Sequence, residues 1–102
     1  MNQYYLLIYD YDDNFVCYFK DDMTHDSITF TYDFNEAGFG NKYVMDYVES
    51  LLDVQCLHNT LNFNKSTISY DDFHKINSDN YSVKIITREE VRKIKIKKLF
   101  EE

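Results

Sequence analysis

The sequence lacks several residue types and motifs that mark common classes of protein. It contains no Pro, no Trp, two Gly and two Cys among 102 residues. It has no Gly-rich loop to cradle a phosphate and no Gly-rich turn to position an oxyanion hole beside a nucleophile. We therefore expect a protein that is not an enzyme and that holds no cofactor and no metal.

Membrane and export signals are also missing from the sequence. No apolar run approaches the roughly 18 residues of a membrane span, and the first residues lack the basic segment and cleavage site of a signal peptide. We therefore expect Cys17 and Cys56 to be reduced, buried side chains rather than a disulfide. These features predict a cytoplasmic protein with no membrane partner, folded as a single domain over 1–102.

One segment, 41–58, has the apolar periodicity of an amphipathic helix. At 100° per residue, the apolar side chains that fall on one side, opposite a polar face, are Val44, Tyr47, Val48, Leu51 and Leu52. Asn41 is the expected N-cap, because its side chain can accept hydrogen bonds from the first-turn amides. We predict that this central helix lies across a sheet built from residues 3–34.

Three strands are predicted before this helix. Segments 3–10 and 15–20 are rich in aromatic and branched side chains, and the turn residues between them predict a hairpin. Neither strand alternates cleanly, so we expect both faces of the hairpin to be partly covered. Segment 28–34 alternates strictly and predicts a half-buried third strand, completing an antiparallel meander.

The second half of the chain predicts further short elements. Leu61 and Phe63 suggest a short strand, 69–76 a helix with Ser69 as its N-cap, and 81–85 a fourth strand. The capping-box spacing at its start predicts a helix over 88–100, although the alternation within it leaves a strand open. The fold class is α+β, an antiparallel β-meander packed against one central amphipathic helix, with a further strand and a C-terminal helix.

Two sets of residues have part of the pattern of a metal site. Asp10, Asp12 and Asn14 match the first ligands of a calcium loop and Asp21 the twelfth, but Phe15 stands where the sharp turn needs Gly. An acidic hairpin turn accounts for the same residues. The possible zinc ligands lack the paired spacing of a finger: Cys17, Cys56, His58 and His74.

Charge is distributed unevenly along the chain. Residues 1–83 hold four Lys against fourteen Asp and Glu (net −10), and residues 84–102 hold seven Lys and Arg against four Glu (net +3), which together give −7. The acidic part argues against direct nucleic-acid binding, because phosphates would repel it. The basic segment 84–98 leaves two interpretations, a solvated helix face that offsets the acidic part or a weak contact with nucleic acid.

Acidic residues and tyrosines cluster in and beside the meander. Hairpin ends and a sheet edge can bring them onto one surface, where carboxylates take the place of phosphates and tyrosine rings supply flat contact area. The predicted protein-binding residues are Asp10, Asp12, Asp13, Asp21, Asp22, Asp26, Asp33, Glu36, Tyr9 and Tyr11. The alternative is a small structural or regulatory module in which charge serves solubility and an aromatic sheet edge forms a homodimer.

A short acidic domain with an Asp- and Tyr-rich segment 9–36, no Pro and no catalytic motif resembles the small phage-encoded inhibitors of host defence. Anti-CRISPR proteins and DNA-mimic anti-restriction proteins belong to this group. The resemblance implies a stoichiometric inhibitor that binds a host nuclease or other nucleic-acid-binding complex and blocks nucleic-acid entry. The basic segment 84–98 departs from the all-acidic mimics and allows a bipolar surface. The residue usage also matches AT-rich coding, as in a low-GC bacterium or its phages.

Overall fold

The computed structural model describes residues 2–20, 28–78 and 80–101, with the backbone alone for 95–101. Within these ranges the chain forms five strands and three helices: β1 (Tyr4–Asp10), β2 (Phe15–Lys20), β3 (Thr29–Thr31), β4 (Phe39–Gly40), α1 (Lys42–His58), α2 (Tyr70–Asn77), β5 (Tyr81–Thr87) and α3 (Arg88–Glu101). The predicted α+β fold is therefore confirmed.

The first strand, β1, lies at the centre of the antiparallel sheet. On one side it pairs with β2, and the short β4 pairs with its first residues. On the other side it pairs with β5 along its whole length, from Tyr4 opposite Thr87 to Asp10 opposite Tyr81. Because β3 pairs with β2, the predicted meander and the predicted fourth strand are both confirmed.

The sheet is covered on both faces. On one face, β1, β2 and β3 pack against α1 and α2, and the largest fully buried side chains of that cluster are Phe30, Leu6, Ile8, Met45, Leu52 and Ile76. On the other face a smaller, mainly aromatic cluster includes Val91 of α3, together with Tyr5, Leu7, Tyr9, Tyr18 and Ala37. The expectation that both faces of the hairpin are covered is confirmed.

The third strand is shorter and more deeply buried than its alternation predicts. It ends at Thr31, because the carboxylate of Asp33 accepts from the backbone N–H of Asn35 at 2.9 Å and starts a 3-10 turn at Phe34–Glu36. The prediction of a half-buried strand over 28–34 is wrong, since its polar face is also buried, at Thr29 and Thr31.

The helix α1 begins where the sequence predicts but is rotated about its axis. The side chain of Asn41 accepts from the backbone N–H of Val44 at 2.8 Å, which confirms the N-cap. The predicted stripe is buried only in part. Val48 and Leu52 face the sheet as predicted, and Leu51 packs against the core. Val44 and Tyr47 are exposed, and Met45 and Cys56 are buried instead. A Cβ on Gly40 would lie 3.2 Å from Cγ1 of Val44, so the backbone at Gly40 lies close to the Val44 side chain in the first turn of α1.

The connection after α1 folds through local hydrogen bonds rather than as a strand. Residues Phe63–Lys65 form a 3-10 turn, closed by the N–H of Ser66 donating to the carbonyl of Phe63 at 2.9 Å. The short strand predicted at Leu61 and Phe63 is therefore wrong. Both side chains are half-buried and pack against the main core cluster, which accounts for their apolar character.

Side-chain caps begin the last two helices as predicted. The hydroxyl of Ser69 accepts from the N–H of Asp72 at 3.2 Å at the start of α2. The hydroxyl of Thr87 accepts from the N–H of Glu90 at 3.3 Å and donates to its carboxylate at 3.1 Å. These bonds cap the start of α3, which is a helix and not the strand that the alternation left open.

Two expectations from the sequence concern the cysteines and membrane-spanning segments. Cys17 and Cys56 are buried and form no disulfide, as predicted. Among the described residues, no helix combines the length and the apolar content that a membrane crossing requires.

Candidate functional site

The turn between β1 and β2, which we call the hairpin tip (residues 10–14), is built on one carboxylate. Oδ1 of Asp10 accepts from the backbone N–H groups of Asn14 and Asp12, at 2.9 Å each, and these bonds lower the pKa of Asp10. Asp13 has a left-handed backbone with φ 63°, which Asp tolerates better than most residues. The partial calcium pattern is therefore an acidic hairpin turn, with Asp21 outside the described residues.

The two predicted tyrosines lie in different environments. Tyr11 is 86% exposed at the hairpin tip, whereas Tyr9 is 7% exposed in the aromatic cluster. The ammonium of Lys84 lies 4.4 Å from the centre of the Tyr9 ring and 4.0 Å from the carboxylate of Asp13. Burial, and then the charge of Asp13, raises the pKa of Tyr9. Of the two rings, Tyr11 is the one positioned to contact a partner.

Asp33 and Glu36 follow β3 in the chain, and both have roles in the fold. Asp33 caps the 3-10 turn that follows β3. A carboxylate oxygen of Glu36 accepts from the hydroxyl of Thr31 at 3.0 Å and lies 3.9 Å from the ammonium of Lys20. The predicted site residues Asp21, Asp22 and Asp26 lie outside the described part of the chain.

A second row of carboxylates, which sequence reasoning missed, lies along α1. Asp46, Glu49 and Asp53 share one edge of the helix, and we call them the acidic edge. Partial burial raises the pKa of Glu49, and the neighbouring charges of Asp53 and Asp46 raise it further. Their spacing of three and four residues is visible in the sequence and is the signal that identifies such an edge.

The acidic edge and the hairpin tip meet at Tyr81. The Tyr81 hydroxyl donates to the carboxylate of Asp53, and Tyr81 lies opposite Asp10 in the β1–β5 ladder. Burial, followed by the bond to Asp53, raises the pKa of Tyr81, so this hydroxyl stays protonated as a donor. The sheet register that makes this junction has no local signal in the sequence.

A shallow polar cavity marks the same junction. Its volume is about 290 Å³ and its lining residues are Asp10, Tyr11, Asp13, Asn80, Tyr81 and Ser82. The charge of Lys75 also acts on Asp10 and contributes to its lowered pKa. The junction is thus acidic, with Lys84 and Lys75 offsetting part of its charge.

The basic segment 84–98 divides between two places where its side chains are described. Lys84 is engaged at Tyr9 and Asp13. Arg88 and Arg92 line an open cavity of about 490 Å³ at the start of α3, beside Glu89. Both interpretations of this segment, a solvated helix face that offsets the acidic part and a weak contact with nucleic acid, stay predictions.

The described cysteines and histidines form no arrangement suited to nucleophilic or metal chemistry. Burial raises the pKa of the Cys17 thiol, and Sγ of Cys56 donates to the carbonyl of Ile76 at 3.5 Å. No group of three His, Cys, Asp or Glu side chains in the described ranges is placed to hold a metal ion. The absence of catalysis stays a prediction.

Both outer strands of the described sheet have features that oppose pairing with another sheet. β3 is three residues long, and β5 carries Lys84 near its middle. Short edge strands and edge lysines are common protections against edge-to-edge association. The strand edges therefore give little support to the predicted alternative of a homodimer.

Comparison of the chain with protein-family models, curated proteins and solved structures gives no match.

Proposed function

We propose that this protein is a binding protein that inhibits a host nucleic-acid-processing or defence complex by occupying its basic nucleic-acid groove. The observation that carries the proposal is the junction at Tyr81, which joins the hairpin tip to the acidic edge of α1. In this proposal the two act together as one acidic surface on a chain of net charge −7. Such a surface complements a groove lined by Lys and Arg and speeds association with it.

The acidic surface is held on rigid parts of the fold. The acidic edge lies on α1 beside the face that is buried against the sheet, and the hairpin tip is fixed by the bonds to Asp10. Successive carboxylates of the edge rise about 4.5 and 6 Å along the helix axis, giving a regular row of negative charge. Charges held in place in advance bind with a smaller loss of conformational entropy than charges on a loose segment.

The first test is a pull-down from a low-GC bacterial lysate treated with nuclease, which removes nucleic acid that could bridge two proteins. We expect the immobilised protein to retain a nuclease or another nucleic-acid-binding complex at low salt and to release it at high salt, because salt screens exposed charges. Retention of no nucleic-acid-binding protein would contradict the proposal.

A pair of matched charge reversals makes this test specific. D12K/D46K changes one carboxylate on each row of the acidic surface, and we expect it to abolish retention. D71K/E89K changes the same number of charges at exposed positions in the first turns of α2 and α3, and we expect retention to survive. Circular dichroism checks that both variants are folded. Equal loss of retention in both variants would show that retention depends on net charge alone and not on the acidic surface.

A further inference from the structure

The central helix α1 carries a second apolar face that points away from the sheet. Four side chains form it, Tyr43, Tyr47, Val54 and Leu57, and we call them the apolar stripe. They are 85%, 58%, 53% and 78% exposed. At 100° per residue they fall within a sector of about 80°, and they span about 21 Å along the helix axis.

This stripe is separate from the face that anchors α1 to the core. The anchoring residues are buried on the sheet side of the helix: Met45, Val48, Leu52 and Cys56. A helix with apolar residues on two faces normally has both of them covered, and contiguous exposed apolar patches mark interaction sites. The shape of the stripe, long and one helix wide, matches the line of contact between two helices that cross at a shallow angle. The small side chain of Ser50, at the middle of the stripe, leaves room for a second helix to approach closely.

The acidic edge identifies the chemistry of the occupant. Asp46, Glu49 and Asp53 run along one border of the stripe, beside Leu57. The ion pairs among described residues lie elsewhere, at Lys20, Lys75 and Lys84. A partner with Lys or Arg along the matching border would therefore gain charge complementarity together with apolar contact.

A second copy of this chain fits the stripe poorly in an antiparallel pairing. In an antiparallel pairing of two α1 helices, a two-fold axis places equivalent borders on the same side. The acidic edge of one copy would then lie beside the acidic edge of the other. Like charges at that distance repel, and the repulsion already present within one edge contributes to the raised pKa of Glu49.

We propose that the apolar stripe of α1 binds an amphipathic helix of another protein, one with apolar residues on one face and Lys or Arg along its flank. This inference goes beyond the proposed function. Both use the acidic edge, but the apolar stripe takes no part in the proposed function and the hairpin tip takes no part in this inference. Helix-to-helix recognition of this kind uses apolar anchors three, four and seven residues apart, and tyrosines are frequent anchors of such contacts.

The test uses a labelled synthetic helix of about 20 residues with Leu on one face and Lys elsewhere, and its counterpart with Glu in place of Lys. Fluorescence anisotropy measures the binding of each to the full chain at physiological ionic strength. We expect the Lys peptide to bind and the Glu peptide to bind at least about tenfold more weakly. Y43A/Y47A removes two anchors and should lower the affinity for the Lys peptide about tenfold or more.

The matched control is Y11A, which removes an exposed tyrosine at the hairpin tip and should change the affinity less than about twofold. Equal affinity of wild type and Y43A/Y47A would overturn the proposal, because charge alone would then explain binding. A dimer in sedimentation equilibrium that Y43A/Y47A dissociates would also overturn it, by assigning the stripe to a second copy. Y43A/Y47A keeps Asp12 and Asp46, so failure here leaves the charge-reversal test of the proposed function intact.

Discussion

At the scale of single residues, short polar side chains do the work that Gly and Pro do in most proteins. The chain has two Gly and no Pro, and the two described non-Gly residues with a left-handed backbone are Asp13 and Asn59. Asp and Asn are among the residues that adopt this conformation with the least strain. Because caps and turns of this kind are local, the sequence predicted Asn41, Ser69 and the hairpin turn correctly.

Asp10 makes the hairpin turn depend on pH. Its pKa is lower in the folded protein than in the unfolded chain, where it is about 3.9. The ionised Asp10 therefore stabilises the folded state. This stabilisation is fully present above the unfolded pKa and is lost as the pH falls through the lower folded pKa. We expect D10N to have a lower melting temperature than wild type at pH 7 and the difference to shrink at an acid pH where Asp10 is protonated in the folded protein. A difference that is the same at both pH values would contradict this account.

Asn59 ends α1 in the left-handed conformation, with φ 55°. Ala keeps the Cβ that strains a residue at positive φ but lacks the short polar side chain with which Asn tolerates this conformation, whereas Gly adopts it freely. We expect Asn59→Ala to lower the free energy of unfolding by about 1 kcal/mol and Asn59→Gly to leave it unchanged or raise it. Urea denaturation measures both, and equal destabilisation by the two variants would show that the position tolerates no change at all.

At the scale of elements, the location of α1 could be predicted from the sequence but its rotation could not. The helix has apolar residues around much of its circumference, so periodicity alone does not show which of them face the sheet. Val44 and Tyr47 were predicted in the core because they continue a stripe with Val48, and the structure instead buries Met45 and Cys56. The choice is made by packing against β1 and by the close approach at Gly40, which no local pattern reveals.

Two leucines on α1 provide a direct test of this rotation. Leu52 is fully buried in the main core cluster, whereas Leu57 belongs to the apolar stripe. We expect Leu52→Ala to cost about 2–5 kcal/mol of unfolding free energy, because it leaves a cavity. Leu57→Ala should cost less than about 0.5 kcal/mol, as for other surface changes. Similar costs for the two substitutions, measured by urea denaturation, would show that the assigned faces of α1 are wrong.

At the scale of the whole molecule, the sequence predicted the sign of the charge and part of its placement. The carboxylates of the hairpin tip lie together because they are neighbours in the chain. Their junction with Asp53 depends on the register of β5 beside β1. This is a contact between distant segments, which cannot be inferred from the number of charges in the sequence. Asp33 and Glu36 were grouped with the tip by proximity in sequence, but Glu36 lies beside Lys20, at the end of β2 that is farther from the tip, and Asp33 caps the turn after β3.

The most direct test of the central claim is a competition for DNA on the nucleic-acid-binding complex retained in the pull-down. Fluorescence anisotropy of labelled DNA on that purified complex is measured as wild-type protein, D12K/D46K and D71K/E89K are added in turn. If the acidic surface occupies the basic groove, wild type and D71K/E89K displace the DNA and D12K/D46K does not. Displacement by all three proteins, or by none of them, would contradict the account.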